Sequence, residues 1–275
     1  GRMLAVQSPL DAQAFTVSAE YRRADGRLMV RSPDVPWQGM RLRVSAEVTG
    51  AGWTATAEGA DLEAAIVHTA LSGLNPSVPE LEIAAGTATF SLCSTGDEGS
   101  PSRVDGTLSL EDLSLSNASG SLAAEGLAFS LEGRADLAAS GERVDYALTL
   151  SADAGEAYLE PAYFDISASP LALESAGLLD VAGGSARVDS FRLDHADVLT
   201  ASGEAVVTLA DDGLALKDAA VEIEQAIFPG VYMTYLQGFL TGTPLAKLET
   251  SGRLGGRVRL DDGRVSAVEL RVSDL

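Results

Sequence analysis

One group of side chains with the composition of a catalytic site is Asp194, His195 and Asp197, which places an imidazole between carboxylates. A histidine oriented by a carboxylate is a common general base. Neighbouring side chains of a strand point to opposite faces, however, so Asp194 and His195 would not act together from one strand. No nucleophile motif accompanies them. The sequence therefore predicts a polar strand end at this position.

Two other candidates for reactive residues, Cys93 and the pair Glu156 and Glu160, give equally weak indications of catalysis. Cys93 is the only cysteine, which excludes an intrachain disulfide and a cysteine metal cage. Because Cys93 follows Phe90 and Leu92 in an alternating run, we predict a small buried apolar side chain there. Glu156 and Glu160 have the composition of a glycosidase pair, but carboxylates are frequent throughout this chain. We therefore predict that the protein is not an enzyme and holds no cofactor or metal.

The composition limits the partners of the chain. Its 19 basic and 40 acidic residues give a net charge of -21, which disfavours nucleic acid and disfavours anionic lipid bound through a basic patch. Hydrophobic residues make up 46% of the chain, enough to exclude intrinsic disorder. Trp37 and Trp53 are the only tryptophans, which weakens a third hypothesis, a carbohydrate-binding domain.

Period-two alternation is the main structural signal. Leu42, Val44, Ala46 and Val48 alternate with polar residues, and similar alternation recurs along most of the chain. Such a pattern predicts half-buried antiparallel strands with one apolar face and one polar face. Asp-Gly pairs between the runs, such as Asp262-Gly263, predict tight hairpin turns. The fold class predicted is mainly β, a long antiparallel meander.

One stretch of the meander changes its parity. Leu108 and Leu110 share one face of a strand, whereas Leu113 and Leu115 have the opposite parity. A bulge near residues 111–112 would bring all four leucines to the same face.

Two segments depart from the alternation and predict short helices. Residues 61–73 predict a helix with Leu62, Ile66 and Leu71 inward. Residues 225–242 predict a second helix near 228–240, with Pro229 in its first turn and Gly242 at its end. An aromatic stripe runs along the second helix at helical spacing: Phe228, Tyr232, Tyr235 and Phe239. It would either cap the end of a sheet as core or line an apolar cavity.

The chain is expected to form a single elongated domain over residues 1–275, with a composition change near 75–80 that suggests a boundary between subregions. The sequence contains no run of eighteen or more apolar residues, so it predicts no membrane-spanning helix. The Gly1-Arg2-Met3 start suggests a fragment of a longer chain.

The last third of the sequence carries a family resemblance. Residues 203–209 and 213–223 are glycine-led alternating runs, the aromatic segment 228–240 follows, and residues 248–264 return to glycine-punctuated strands. With similar units at 123–127 and 200–203, this pattern resembles the AsmA-like proteins of Gram-negative bacteria, and among them the YdbH-like members. The resemblance is clearest over 200–275 and diffuse over 100–200.

The resemblance implies a curved, taco-like sheet with an open apolar groove, in a periplasmic protein tethered to the inner membrane. It implies binding or conduction of phospholipid acyl chains between the two membranes, with other cell-envelope proteins as potential partners. The family supplies no catalytic residues, and the membrane anchor is absent from this sequence. Candidate groove residues are Leu108, Leu110, Leu127, Phe129, Leu131, Tyr146, Leu148, Leu150, Phe228, Tyr232, Tyr235 and Phe239.

The residues themselves leave one alternative open. A sheet with one apolar face must bury that face, either by closing on itself as a dry core or by sheltering a ligand. Small residues such as Ala46, Ala85 and Ala88 are compatible with both. A structural or adhesive β protein with a closed core and no ligand is therefore the alternative to the lipid groove.

Overall fold

The computed structural model describes residues 15–37, 39–74, 80–97, 100–210 and 213–274. They form a mainly β protein with one sheet of fifteen strands. The first eight strands are β1 (Ser18–Arg22), β2 (Arg27–Trp37), β3 (Met40–Thr49), β4 (Gly52–Glu63), β5 (Glu82–Asp97), β6 (Ser100–Ser116), β7 (Leu122–Leu137) and β8 (Arg143–Leu159). The others are β9 (Ala162–Asp165), β10 (Leu171–Asp180), β11 (Ser185–His195), β12 (Leu199–Ala210), β13 (Gly213–Phe228), β14 (Gly252–Asp261) and β15 (Arg264–Ser273).

The predicted antiparallel meander is confirmed. Strands pair with their neighbours in sequence, except that β9 pairs only with the last residues of β8, so that β10 continues the sheet beside β8. The edge strands β1 and β15 do not pair with each other, so the sheet is open. Asp262 and Gly263, with φ of 51° and 71°, form the two-residue hairpin turn between β14 and β15 that the Asp-Gly pair predicts.

The strand register separates the sheet into an apolar face and a polar face. A central row of the apolar face crosses ten strands: Phe90, Leu108, Leu131, Leu150, Leu173, Leu193, Ala201, Ile223, Gly256 and Leu270. The adjacent row of the polar face contains Ser91, Thr107, Glu132, Thr149, Glu174, Arg192, Ser202, Glu222, Arg257 and Glu269. This separation is what period-two alternation dictates, because successive side chains leave a strand on opposite faces.

The connections between strands are longer at one end of the strands than at the other. At the covered side, where β4 ends and β5 begins, the sheet has three longer connections: 64–81, 160–170, which contains β9, and 229–251. The opposite side, here the hairpin side, has short turns such as 138–142, 181–184 and 262–263.

The connection 64–81 contains helix α1 (Ala64–Leu74), which packs on the apolar face at the covered side. The sequence predicts this helix from residue 61, but Leu62 and Glu63 remain in β4, where they pair with Ala88 and Thr87. Of the predicted boundary near 75–80, residues 75–79 lie outside the described part of the chain. The strands on either side of it, β4 and β5, pair directly with each other.

The connection 229–251 contains the predicted aromatic helix, in a different form. A helical turn at 230–231 leads into a π-helical turn, Tyr232–Leu236, and a 3-10 turn, Gln237–Leu240. The Tyr232 hydroxyl donates a hydrogen bond to the Leu245 carbonyl and so ties the segment to the 3-10 turn Pro244–Lys247.

Near the covered side, five consecutive strands each contain one residue with positive φ: Asp61, Gly86, Asp112, Gly126 and Gly155. The register shifts beside these residues, so each marks a bulge. Bulges bend strands and increase their twist, so a line of five curves this part of the sheet.

The bulge at Asp112 is the one predicted at residues 111–112. Leu113 pairs opposite Leu127, two residues from Phe129 on β7, and Phe129 faces Leu110. Leu113 is therefore returned to the apolar face, where it is buried.

Two small clusters form the core, and both lie on the apolar face at the covered side. The first joins α1 to β3–β6 through Met40, Leu42, Leu62, Ala70 and Ala88. The second joins the segment 229–240 to β12 and β13 through Val198, Ala226 and Val231. Most of the apolar face lies outside both clusters.

Candidate functional site

The apolar face continues on both sides of its central row. The row toward the covered side contains Ala88, Leu110, Phe129, Ala152, Leu171, His195, Leu199, Ala226, Leu254 and Val272. The row toward the hairpin side contains Leu92, Gly106, Gly133, Leu148, Ser175, Phe191, Gly203, Val221, Val258 and Val268. His195 and Ser175 are the only polar side chains in these rows. Across ten strands about 4.8 Å apart, each row extends roughly 43 Å.

The eight candidate groove residues on β6, β7 and β8 share this face. Leu108, Leu131 and Leu150 lie in the central row, Leu110 and Phe129 in the row toward the covered side, and Leu148 in the row toward the hairpin side. Tyr146 lies one row further toward the hairpin side, opposite Ala135 and Gly177, and Leu127 lies nearer the covered side.

The four candidate aromatic residues do not all lie together. Tyr232 is buried, and Phe228 and Tyr235 pack against the second core cluster. Phe239 is 72% exposed and does not belong to that cluster. Phe228, Tyr232 and Tyr235 are therefore part of the packing that covers the apolar face at the covered side. Phe239 is not part of it.

A cavity of about 800 Å³ opens on the apolar face between β2 and β10. Its walls are Trp37, Met40, Leu42, Val67, Leu71, Phe90, Leu92, Leu108, Leu131, Tyr146, Leu148 and Leu179, with Gly106 and Gly133 in its floor. Its volume is in the range of small-molecule pockets, and its walls are more apolar than those pockets usually are.

Exposure along the face shows which side of the groove is open. Ala88, Ala152 and Ala226, toward the covered side, are buried, whereas Leu92 is 47% exposed. Leu179 and Leu216, nearer the hairpin turns, are also exposed. The groove is therefore closed at the covered side and open at the hairpin side.

Sequence reasoning missed the two glycines in the floor of the cavity. Gly106 and Gly133 face each other across β6 and β7, and Leu148 follows on β8. A Cβ atom built on Gly133 would come no closer than 3.9 Å to its nearest neighbour, the Ala147 carbonyl oxygen. Both glycines have the parity of Leu108 and Leu131, and that signal could have identified them as groove positions.

The histidine flagged by the sequence lies inside the covered side. His195 is 1% exposed, and its Nδ1 lies 3.0 Å from the Tyr235 hydroxyl oxygen. The ring also packs against Phe164, at a centroid distance of 6.0 Å. Asp194 points to the polar face, as strand geometry requires. The arrangement holds the segment 229–240 against the sheet and does not resemble a general-base site.

Burial lowers the pKa of His195, opposed by the Ser169 backbone and the Asp194 carboxylate. Nε2 is buried and forms no hydrogen bond with any described residue. Burial also raises the pKa of Tyr235 to about 12, so the hydroxyl stays neutral. A neutral His195 is thus the form that the fold favours.

We expect a pH-dependent loss of stability from this histidine. The unfolded chain takes up a proton near pH 6.5, while the folded chain resists protonation, so His195 costs stability as the pH falls below about 6.5. The free energy of unfolding should then decrease by up to about 1.4 kcal/mol for each pH unit. Urea unfolding between pH 7 and pH 5 measures it, and His195→Leu should flatten the slope. Equal slopes in the wild type and His195→Leu would contradict the assignment.

The polar face is a solvated surface of paired charges. Arg134 Nε lies 2.9 Å from an oxygen of Asp105, and Arg192 lies 2.6 Å from Glu224. A depression of about 560 Å³ on this face is lined by such charged side chains. Cys93 lies on the same face, opposite Thr56 and Asp105, and is half-buried. The expectation of a Cys93 side chain in the apolar interior was therefore wrong, because its parity is that of Ser91.

In the described part of the chain, no group of three or more His, Cys, Asp or Glu side chains is arranged to hold a metal ion. Among the same residues, no helix has the length and apolarity needed to cross a bilayer.

Comparisons with protein-family models, with curated proteins and with solved structures each return no match to this chain.

Proposed function

We propose that the protein binds phospholipid acyl chains along its apolar face and conducts them, as a periplasmic segment of an AsmA-like protein tethered to the inner membrane. The observation that carries the proposal is the continuous apolar face, which crosses ten strands and contains an open cavity of about 800 Å³. The sequence resemblance supports the same function.

The exposure of this face supports a ligand over a closed dry core. Soluble monomers rarely expose apolar patches larger than a few hundred Å². Large apolar side chains of this face are about half exposed, among them Leu92 at 47%, Val268 at 52% and Leu270 at 51%. Surface of this kind gains stability when apolar groups cover it.

The chemistry of the groove suits an alkyl chain. Each methylene that leaves water for an apolar wall contributes about 0.8 kcal/mol, and no directional partner is needed. The polar residues that line the cavity are few, namely Thr107, Arg134 and Tyr146, and the Tyr146 hydroxyl has a partner 3.2 Å away in the Ser175 hydroxyl. Because the groove is closed at the covered side and open at the hairpin side, the acyl chains would lie inside the groove. The lipid headgroups would project into solvent at the hairpin side.

Affinity should therefore depend on chain length. Between decanoate, dodecanoate and tetradecanoate, we expect the Kd to fall about tenfold for each two-carbon step, because two methylenes contribute about 1.6 kcal/mol. Isothermal titration calorimetry at constant protein concentration measures the series. Native mass spectrometry of protein purified from cells should show bound phospholipid. A Kd independent of chain length, together with lipid-free protein from cells, would overturn the proposal.

A further inference from the structure

The segment 229–248 presents a group of exposed apolar side chains at the covered side. Val231 and Tyr232 are buried, and Tyr235 packs against the second core cluster. The side chains that this packing leaves uncovered are large, apolar and between 44% and 72% exposed: Met233, Leu236, Phe239, Leu245 and Leu248. The segment therefore has one side packed on the sheet and one apolar side open to solvent.

These side chains lie over interior strands of the sheet, away from its first and last strands. The segment leaves β13 and turns back toward β8 and β9, where the Tyr235 ring contacts the Phe164 ring edge to face, at a centroid distance of 5.6 Å. Gly238 lies so close to the backbone of Pro161 that a Cβ atom would not fit between them. The turn Gln237–Leu240 is thus packed on the connection 160–170, with Phe239 exposed beside it.

The same segment is uncharged. Residues 225–246 form the longest stretch of the chain without Asp, Glu, Lys, Arg or His, although charged residues make up 21% of the chain. Charge on a surface loop normally supports solubility. Charged side chains also resist transfer into lipid, so an apolar surface without them is one that a bilayer can accept.

The polar groups of the segment are largely satisfied from within the protein. Five side chains with a hydroxyl or amide group have a hydrogen-bond partner there: Tyr232, Tyr235, Gln237, Thr241 and Thr243. The Gln237 amide nitrogen donates to the Ala246 carbonyl at 3.2 Å, and the Thr243 hydroxyl donates to the Leu240 carbonyl at 2.7 Å. Because polar groups that leave water for lipid must be paired internally, this segment is prepared for an apolar environment.

We infer that the segment 229–248 inserts its exposed side chains into the surface of a lipid bilayer. Its helical turns are short, whereas a helix that spans a bilayer needs about 20 residues, so the segment enters only the interface, to a depth of about 5–10 Å. Since its polar groups are already paired, it offers few hydrogen bonds to a protein partner. The net charge of -21 favours a zwitterionic surface over an anionic one. The inference does not depend on what the groove holds.

Flotation with phosphatidylcholine vesicles tests the insertion, and the wild type should float with them. Met233→Glu and Phe239→Glu each place a carboxylate on the inserted surface and should weaken vesicle binding about tenfold or more. The matched control is Val181→Glu, because Val181 is 64% exposed in a hairpin turn outside the segment. This control should bind vesicles as the wild type does. Circular dichroism checks the fold of each variant.

A second variant reports the position of the segment directly. Phe239→Trp should bind vesicles at least as tightly as the wild type, because tryptophan favours the membrane interface. Brominated phosphatidylcholine should quench the emission of this variant more than that of the wild type, whose tryptophans are Trp37 and Trp53.

A wild type that does not float, or a Phe239→Glu variant that floats equally well, would overturn the inference. Association of lipid-free protein that rises with concentration and is lost in Phe239→Glu, without flotation of the wild type, would assign this surface to a protein interface instead. Tetradecanoate titration of Met233→Glu separates this test from that of the proposed function. Its Kd should equal that of the wild type, because no residue of the segment lines the cavity.

Discussion

Replacing Gly133 with phenylalanine is expected to weaken acyl-chain binding on the order of a hundredfold while the fold remains intact. The position has free space for a side chain, since a Cβ atom would lie 3.9 Å from its nearest neighbour. Phenylalanine also favours strands more than glycine does. Its ring would occupy the floor of the cavity beside Gly106 and Leu148. Displacing three or four methylenes corresponds to a loss of affinity on the order of a hundredfold.

The matched control is Thr149→Phe, which adds the same ring to the polar face. Thr149 lies beside Leu148 on β8, opposite Glu132, and is exposed. Tetradecanoate titration of both variants, with thermal unfolding as the check on folding, should show the loss only in Gly133→Phe. If a folded Gly133→Phe protein kept the wild-type Kd, the cavity would not be the binding site.

The second large effect concerns stability. Gly155 has φ of 91°, and a Cβ atom there would lie 2.4 Å from both the Gly126 carbonyl oxygen and the Leu127 Cα. The obstacle is backbone, which cannot move aside as a flexible side chain could. Gly155→Ala should therefore lower the free energy of unfolding by about 4 kcal/mol or more, through left-handed strain and displacement of β7.

Gly126 provides the comparison on the facing strand. Its φ of 58° is also left-handed, but a Cβ atom would meet nothing within 4 Å. Gly126→Ala should cost only the conformational strain, about 1–2 kcal/mol. Urea unfolding of the two variants measures the difference. Equal losses would mean that close approach between β7 and β8 does not limit the residue at 155.

The division of the sheet into two faces could be predicted from the sequence because it follows from parity alone. Parity puts Leu148 and Leu150 on one face of their strand, and the pairing then aligns Leu150 with Leu131 and Leu108. Even the change of parity at Leu113 was interpretable, since a bulge is the ordinary way to reset a strand.

The covering segments were harder to predict because they depend on tertiary contacts. Leu62 fits a helical pattern but pairs with Ala88 as part of β4. In the aromatic segment, spacing of three and four residues predicts one α-helical stripe. The π turn at 232–236 contains more residues per turn, so the phase shifts and Phe239 no longer follows Tyr232 and Tyr235 onto the sheet. That all three long connections emerge on one side could not be read from local patterns.

Because almost every strand pairs only with its neighbours in sequence, the chain is built like a repeat array whose unit is the hairpin. Stability in such arrays is approximately a sum of local terms and nearest-neighbour terms. An added or deleted hairpin would change the length of the sheet without repacking a central core. The architecture therefore lets evolution set the distance that a groove spans in steps of two strands, roughly 10 Å each.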